Sequence, residues 1–319
     1  MNHDWPAAAD LPVTPDDIER AAERIAGRVR RTPVIEHDGL VLKLELLQHA
    51  GSFKPRGAFN RVLSEPAVPP SGLIAASGGN HGAAVAFVGR SLGVPVEIYM
   101  PSTSPTIKRR TIERFGARAV VVEGYYDDAQ REASARQACS AALMVHPFDH
   151  AATVAGQGTM ALELEQQCGP GSFDTLVVAT GGGGFTAGQA AWFQDRVKIV
   201  SVEPESSQCL RAALAAGAPV PVPESGLAAD SLGAKQIGDV PWQIVRHFVD
   251  DAVTLPDDEI SAAQRALWDD LRLVVEPGGA AALAAIRSGA YCPDPGERVV
   301  VVVCGSNCDP ATVTSLPAS

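Results

Sequence analysis

Short apolar runs with strand character recur through the chain, and each leads into a stretch with helical spacing. The runs at residues 73–76, 94–100 and 119–122 precede helical stretches at 83–92, around Lys108, Arg109 and Arg110, and at 129–142. Further runs at 175–179, 198–202 and 299–304 repeat the pattern, with helical stretches after the first two. Successive β-helix-β units place strands parallel and helices on both faces of a sheet, so the fold class is α/β. Residues 41–46 alternate like one more strand. The three units between 72 and 148 suffice for a small sheet of their own. The expected division is a large domain of residues 1–71 and 149–319, with a small domain of 72–148 inserted in it. Residues 1–13 read as a loose tail. Thr14-Pro15-Asp16-Asp17 then supplies a capping hydroxyl, a proline for the first turn and acids beside it. Ile18, Ala21, Ala22, Ile25 and Val29 follow at helical spacing.

The charge of −11 argues against nucleic acid or an anionic membrane as partner, because both reward clustered Lys and Arg. The six cysteines form no C-x-x-C pair and no zinc-type spacing with histidine, so reduced thiols, mostly inert in the core, are expected. The first six residues have neither a basic nor an apolar region of a secretory signal, and residues 299–304 are too short to span a bilayer. A cytoplasmic protein is expected.

Three segments carry chemistry. Gly51-Ser52-Phe53-Lys54-Pro55-Arg56-Gly57-Ala58 sets a lysine beside an aromatic ring and between glycines. Such a lysine is usually a surface turn, and its alternative role is that of a covalent catalyst. Ser77-Gly78-Gly79-Asn80-His81-Gly82 lies between a strand and a helix, where free N–H groups suit a carboxylate. Gly181, Gly182, Gly183 and Gly184 open another helix. Four glycines cost backbone entropy, and a phosphate cradle is a reason to accept it. Gly182-x-Gly184-x-x-Ala187, with Glu203 farther on, also satisfies a relaxed dinucleotide fingerprint. That competitor leaves Lys54 and the Asn80 loop unexplained.

Together, and in this order, the segments resemble the fold-type II pyridoxal-phosphate enzymes, most closely the serine/threonine dehydratase and serine racemase branch. Ser52 to Ala58 matches the branch's S-F-K-x-R-G-A. Pro147-Phe148-Asp149, Gly156-Gln157-Gly158-Thr159, Glu276-Pro277-x-Gly279-Ala280 and Cys304-Gly305-Ser306-Asn307 match further segments along nearly the whole chain. The resemblance implies two open parallel sheets, as in the tryptophan synthase β subunit, the smaller domain inserted in the larger. It also implies pyridoxal 5'-phosphate as cofactor, a small amino-acid substrate and a homodimer.

By the same resemblance, Lys54 bonds the cofactor aldehyde and later takes the α-proton. Phe53 lies against the pyridine ring, Asn80 bonds the ring hydroxyl, and Gly181 to Gly184 hold the phosphate. Ser77, Gly78, Gly79, Asn80 and His81 take the substrate carboxylate, with His81 shaping the loop. Cys304 faces the pyridine nitrogen, and this neutral partner favours elimination over a long-lived carbanion. The implied reaction is β-elimination of L-threonine or L-serine to a 2-oxo acid and ammonia. Racemases of the branch carry a serine where Gly78 stands, so racemisation is not expected as the main activity. Metal-binding members pair a glutamate like Glu203 with an aspartate where Cys209 stands, so no metal is expected. No regulatory domain is expected after Asn307. Ser231 replaces a glycine common in the branch, and a bulkier substrate such as 3-hydroxyaspartate or phenylserine is the nearest alternative. A cofactor-retaining protein without turnover is a further one.

Overall fold

The structure is a computed structural model that describes residues 11–104 and 106–315. The reading of the first six residues therefore lies outside the described part. Its strands are β1 (Val34–His37), β2 (Leu40–Lys43), β3 (Leu73–Ala76), β4 (Val96–Pro101), β5 (Arg118–Val122), β6 (Leu143–Met144), β7 (Thr175–Ala179), β8 (Lys198–Pro204), β9 (Asp251–Leu255) and β10 (Val299–Val302). Between them run α1 (Pro15–Ile25), α2 (Lys54–Leu63), α3 (Asn80–Leu92), α4 (Thr106–Arg114), α5 (Tyr126–Ala138), α6 (Ala151–Cys168) and α7 (Gly184–Phe193). The C-terminal half adds α8 (Cys209–Ala216), α9 (Ala229–Leu232), α10 (Asp239–Phe248), α11 (Asp257–Leu271), α12 (Pro277–Arg287) and α13 (Pro310–Thr314).

The strands form two sheets. One has six strands in the order β1-β2-β10-β7-β8-β9, and the other has four in the order β5-β4-β3-β6. Every pairing is parallel except β1 with β2. The four valines of β10 are all buried between β2 and β7, as a parallel strand covered on both faces requires. The large sheet shares one apolar core with α7 and α12. The small sheet packs on Ile25, Ala58, Phe59 and Val62, so α1 and α2 contribute to both halves of the molecule.

Several expectations need correction. Leu11 and Val13 are buried, so the end of the supposed tail is part of the core. The strand expected over 41–46 stops at Lys43, and Glu45–Leu47 forms a 3-10 turn. That turn carries the Glu45 carboxylate inward to Arg56 and Thr32. The helix expected over 129–142 runs from Tyr126 to Ala138, because the Asp128 carboxylate accepts the Tyr125 N–H and starts it earlier. Of the six thiols only Cys209 and Cys304 are buried; Cys139 and Cys292 are exposed, so the cysteines are not mostly core residues. At α1 the Thr14 cap is present, with Asp17 closing the reciprocal box. Among the described residues no helix is long and apolar enough to cross a membrane.

Candidate active site

The loops after β3, β7 and β10 all leave the carboxyl ends of parallel strands, where open α/β sheets place their ligands. Three of these strand ends meet at one place. The loop before α2 is stitched to the end of β10 by Phe53 N–H to Cys304 O (3.3 Å), by Ser306 N–H to Gly51 O (2.9 Å) and by the Ser52–Gly305 bridge. Ala50 and Gly51 take positive φ values of 58° and 75° to make the bend. Lys54 opens α2 with Pro55 behind it in the first turn.

The Lys54 side chain is enclosed. Its Nζ lies 3.4 Å from Pro147 O and 5.0 Å from the centre of the Phe53 ring. Burial pushes its amine down to about 8. Free amine is therefore present near neutral pH, as a nucleophile or a base requires. Behind it, Arg56 donates to Glu45 at 2.8 and 2.7 Å and to Glu163 at 2.9 Å. Lys43 reaches the other Glu163 oxygen at 2.5 Å. Two cations and two anions thus balance inside the protein and hold the base of α2.

The glycine tetrad follows β7. A Cβ on Gly181 would lie 2.3 Å from Leu232 O. One on Gly182 or Gly184 would meet Phe148 at 2.5 or 2.7 Å, and one on Gly183, whose φ is +86°, would meet Ile237. Among the described residues, the four glycine N–H groups have no protein acceptor. They cluster at the N-terminus of α7, where the helix dipole favours an anion. Residues 181–184 thus have the donors and the close approach that a phosphate needs, and Lys54 has the amine that an aldehyde needs. The chain fits pyridoxal phosphate.

The loop after β3 forms a third wall. Gly79 N–H donates to Ser77 Oγ at 3.2 Å, and Asn80 begins α3. Asn80 is fixed on both sides: its Nδ2 donates to Glu276 at 2.5 Å and its Oδ1 accepts from Asn307 at 2.7 Å. His81 is buried with Nε2 2.7 Å from Val145 O, and burial pushes it down to about 3, so it is neutral. That suits a residue that shapes the loop.

All these segments line a cavity of about 1170 Å³. Phe53, Lys54, Ser77 to His81 and Gly181 to Gly184 are on its walls. Phe53 also stacks on Phe185, with ring centres 3.9 Å apart. Cys304 is the exception among the expected residues. It is buried beneath the cavity, absent from its lining, and its thiol donates to Gly278 O at 3.4 Å. Burial raises that thiol far above its ordinary range, so it is neutral.

Three residues on or beneath these walls escaped the sequence reading. Glu276 is wholly buried and pushed up to about 7 by that burial, and it holds Asn80. Its position in the Glu-Pro-x-Gly-Ala run was the available signal. Lys108 of α4 reaches the cavity and pairs with Asp230 at 3.1 Å. Ser104 lies against Gly78. A lone lysine or serine at such spacing gives no signal in sequence. Ser231 accepts the Gly278 N–H at 3.0 Å and donates to Ala228 O at 3.3 Å, so its hydroxyl is committed to backbone. Glu203 accepts the N–H groups of Leu210 and Arg211 at 2.7 and 2.9 Å, which caps α8.

Residues 25–305 match the family model described as pyridoxal-phosphate dependent enzyme. The chain is 38% identical over 274 residues to the biosynthetic L-threonine dehydratase of Escherichia coli (strain K12), covering 84% of this chain and 53% of that protein. It thus spans about half the length of that relative. It is 33% identical over 308 residues to the serine racemase of Arabidopsis thaliana, covering 92% of each. A solved structure of maize serine racemase superposes with a TM-score of 0.89 at 30% identity, covering 95% of this chain and 96% of that one.

Proposed function

The chain belongs to the pyridoxal-phosphate dependent enzyme family, and on that premise we propose that it eliminates water from L-threonine or L-serine, the released enamine then being hydrolysed to a 2-oxo acid and ammonia. One observation carries this reading. A buried lysine amine and a helix-end cradle of free glycine N–H groups face the same cavity.

Pyridoxal phosphate, when bound, draws electrons from the α-carbon of an attached amino acid and labilises both the α-proton and the β-substituent. Gly181 to Gly184 would hold its phosphate, Lys54 its aldehyde carbon and Asn80 its ring hydroxyl. Glu276 and Asn307 keep the Asn80 amide in one orientation, so the group it serves is gripped without local rearrangement. The N–H groups at the start of α3, with Ser77, Gly78 and Gly79 before them, receive the substrate carboxylate. Gripping both ends fixes which bond at the α-carbon breaks. The Lys54 amine then takes the α-proton, and its depressed proton affinity leaves free base for this at neutral pH. Cys304, neutral and bonded to Gly278, offers no negative charge beneath the site. A neutral environment there disfavours a long-lived carbanion and supports prompt loss of the β-hydroxyl. In this reading residues 72–148 form the smaller lobe that carries the carboxylate loop, and the protein is a cytoplasmic homodimer.

The cavity volume supports a second reading, a bulkier β-hydroxy amino acid. Asp127, Glu224 and Asp230 on the wall oppose a second carboxylate, so phenylserine suits it better than 3-hydroxyaspartate.

The test is a spectrum followed by a substrate panel. The purified protein should absorb in the near-visible and release ammonia from L-threonine or L-serine. Lys54→Ala should lower that release by about a thousandfold or more. Retention of both properties in this variant would sink the assignment.

A further inference from the structure

Helix α12 is capped from outside. Its N-cap residue, Glu276, makes no side-chain bond to the first turn. Pro277 has no N–H to offer, and the Gly279 N–H closes on Glu276 O at 2.9 Å. Of these first three positions only the buried Gly278 N–H needs an acceptor from elsewhere. Ser231 of α9, on the cavity wall, supplies it. Its Oγ accepts that N–H at 3.0 Å and donates to Ala228 O at 3.3 Å, which leaves a lone pair for Gly278. A Cβ on Gly278 would lie 2.7 Å from the same oxygen, so a side chain there would displace the hydroxyl. With Gly278 served, the Glu276 carboxyl leaves its own helix and takes the Asn80 Nδ2 at 2.5 Å. The residues on either side of Ser231 face the two anion-binding loops. Asp230 O lies 3.1 Å from the Cβ point of Gly79, and Leu232 O packs on Gly181.

We propose that Ser231 is a positioning residue of this site: by capping α12 in place of Glu276, it keeps the Glu276 carboxyl on Asn80 and the Asn80 amide in the orientation that the cofactor's ring hydroxyl needs. The role of Asn80 rests on the reading given above. A buried N–H without an acceptor is costly, and the N-terminus of a helix attracts an anion. Without the Ser231 hydroxyl, the Glu276 carboxyl is drawn back to the Gly278 N–H two residues on. Asn80 Nδ2 then loses its acceptor, and the amide is held on one side only, by Asn307. Ser231 thus acts through Glu276 and Asn80, with no contact to the reacting atoms required of it.

The experiment labels the four asparagines with ¹⁵N and follows solvent exchange of the Asn80 side-chain amide in the cofactor-loaded protein, with its near-visible spectrum recorded alongside. The Asn80 signal is identified by its loss in Asn80→Ser. In Ser231→Ala its exchange should be about fivefold faster, and the absorption maximum should move. Ser231→Cys keeps the shape with a weaker acceptor, so it should fall between the two, and it serves where Ser231→Ala does not fold. A lower melting temperature with unchanged Asn80 exchange overturns the inference, because loss of a plain helix cap would do only that. Faster exchange with an unmoved absorption maximum overturns it as well. A wild-type protein without near-visible absorption would sink the functional reading instead, while the exchange comparison still decides whether Ser231 keeps Glu276 on Asn80.

Discussion

The cavity has two kinds of wall, and their ion pairs differ. Behind Lys54, Arg56, Glu45 and Lys43 are 1%, 0% and 0% exposed; Arg56 and Lys43 share Glu163, and Arg56 also holds Glu45. Across the mouth, Lys235 meets Asp127 with the two side chains 53% and 62% exposed, and Lys108 meets a mostly exposed Asp230. The inner set is shielded and mutually satisfied, so removing one member strands a charge in the protein. The Lys235–Asp127 pair is bathed in water and screened by salt, and the Lys108 pair is open on its Asp230 side. The contrast separates a floor that holds the start of α2, and with it Lys54, from a rim that can yield to a substrate.

Breaking the floor gives the largest effect. Arg56→Met leaves Glu45 and Glu163 without their guanidinium and should cost about 3–5 kcal/mol of unfolding free energy, read by denaturant titration. Equal stability in the two proteins would show that the network is dispensable. A middle-sized effect probes the carboxyl that holds Asn80. Glu276 is pushed up to about 7 from an ordinary 4.5, so the folded state keeps a proton that the unfolded chain has lost. Its contribution to stability is accordingly full below about pH 4.5 and falls as pH rises towards 7. Glu276→Gln removes that loss, so variant minus wild-type stability should become more positive between pH 5 and 8, by up to about 3 kcal/mol. Thermal melts across that range measure it, and a flat difference counts against the protonated carboxyl. The smallest effect belongs to the rim. Lys235→Ala should change stability by less than about 1 kcal/mol, with any change vanishing at high salt. A loss as large as that of Arg56→Met would erase the distinction between floor and rim.

Much of this was legible beforehand where chemistry is local. The tetrad, the loop at Ser77 to His81 and Lys54 announced themselves because unusual residues stood at strand-to-helix junctions. The strand expected over 299–304 forms over Val299–Val302, and it was evident because a parallel strand buried on both faces reads as an unbroken apolar run. Where neighbours decide, the reading failed. Residues 41–46 alternate as a strand would, yet the pull of Arg56 and Thr32 on Glu45 ends it at Lys43. That the Cys304 thiol donates to Gly278 O was equally beyond any local pattern. The exposure of Cys139 and Cys292 could not be read from composition.

By itself the sequence determined the alternation of strands and helices, the parallel sheets and the residue types able to bond an aldehyde and cradle a phosphate. These follow from periodicity, backbone freedom and side-chain chemistry, which travel with the chain. Only the tertiary structure decided that Glu276 holds Asn80 from 196 residues away, that four charges cancel behind Lys54, and that Ser231 of α9 caps α12. Each depends on a through-space approach between distant segments, and no local pattern encodes such a distance.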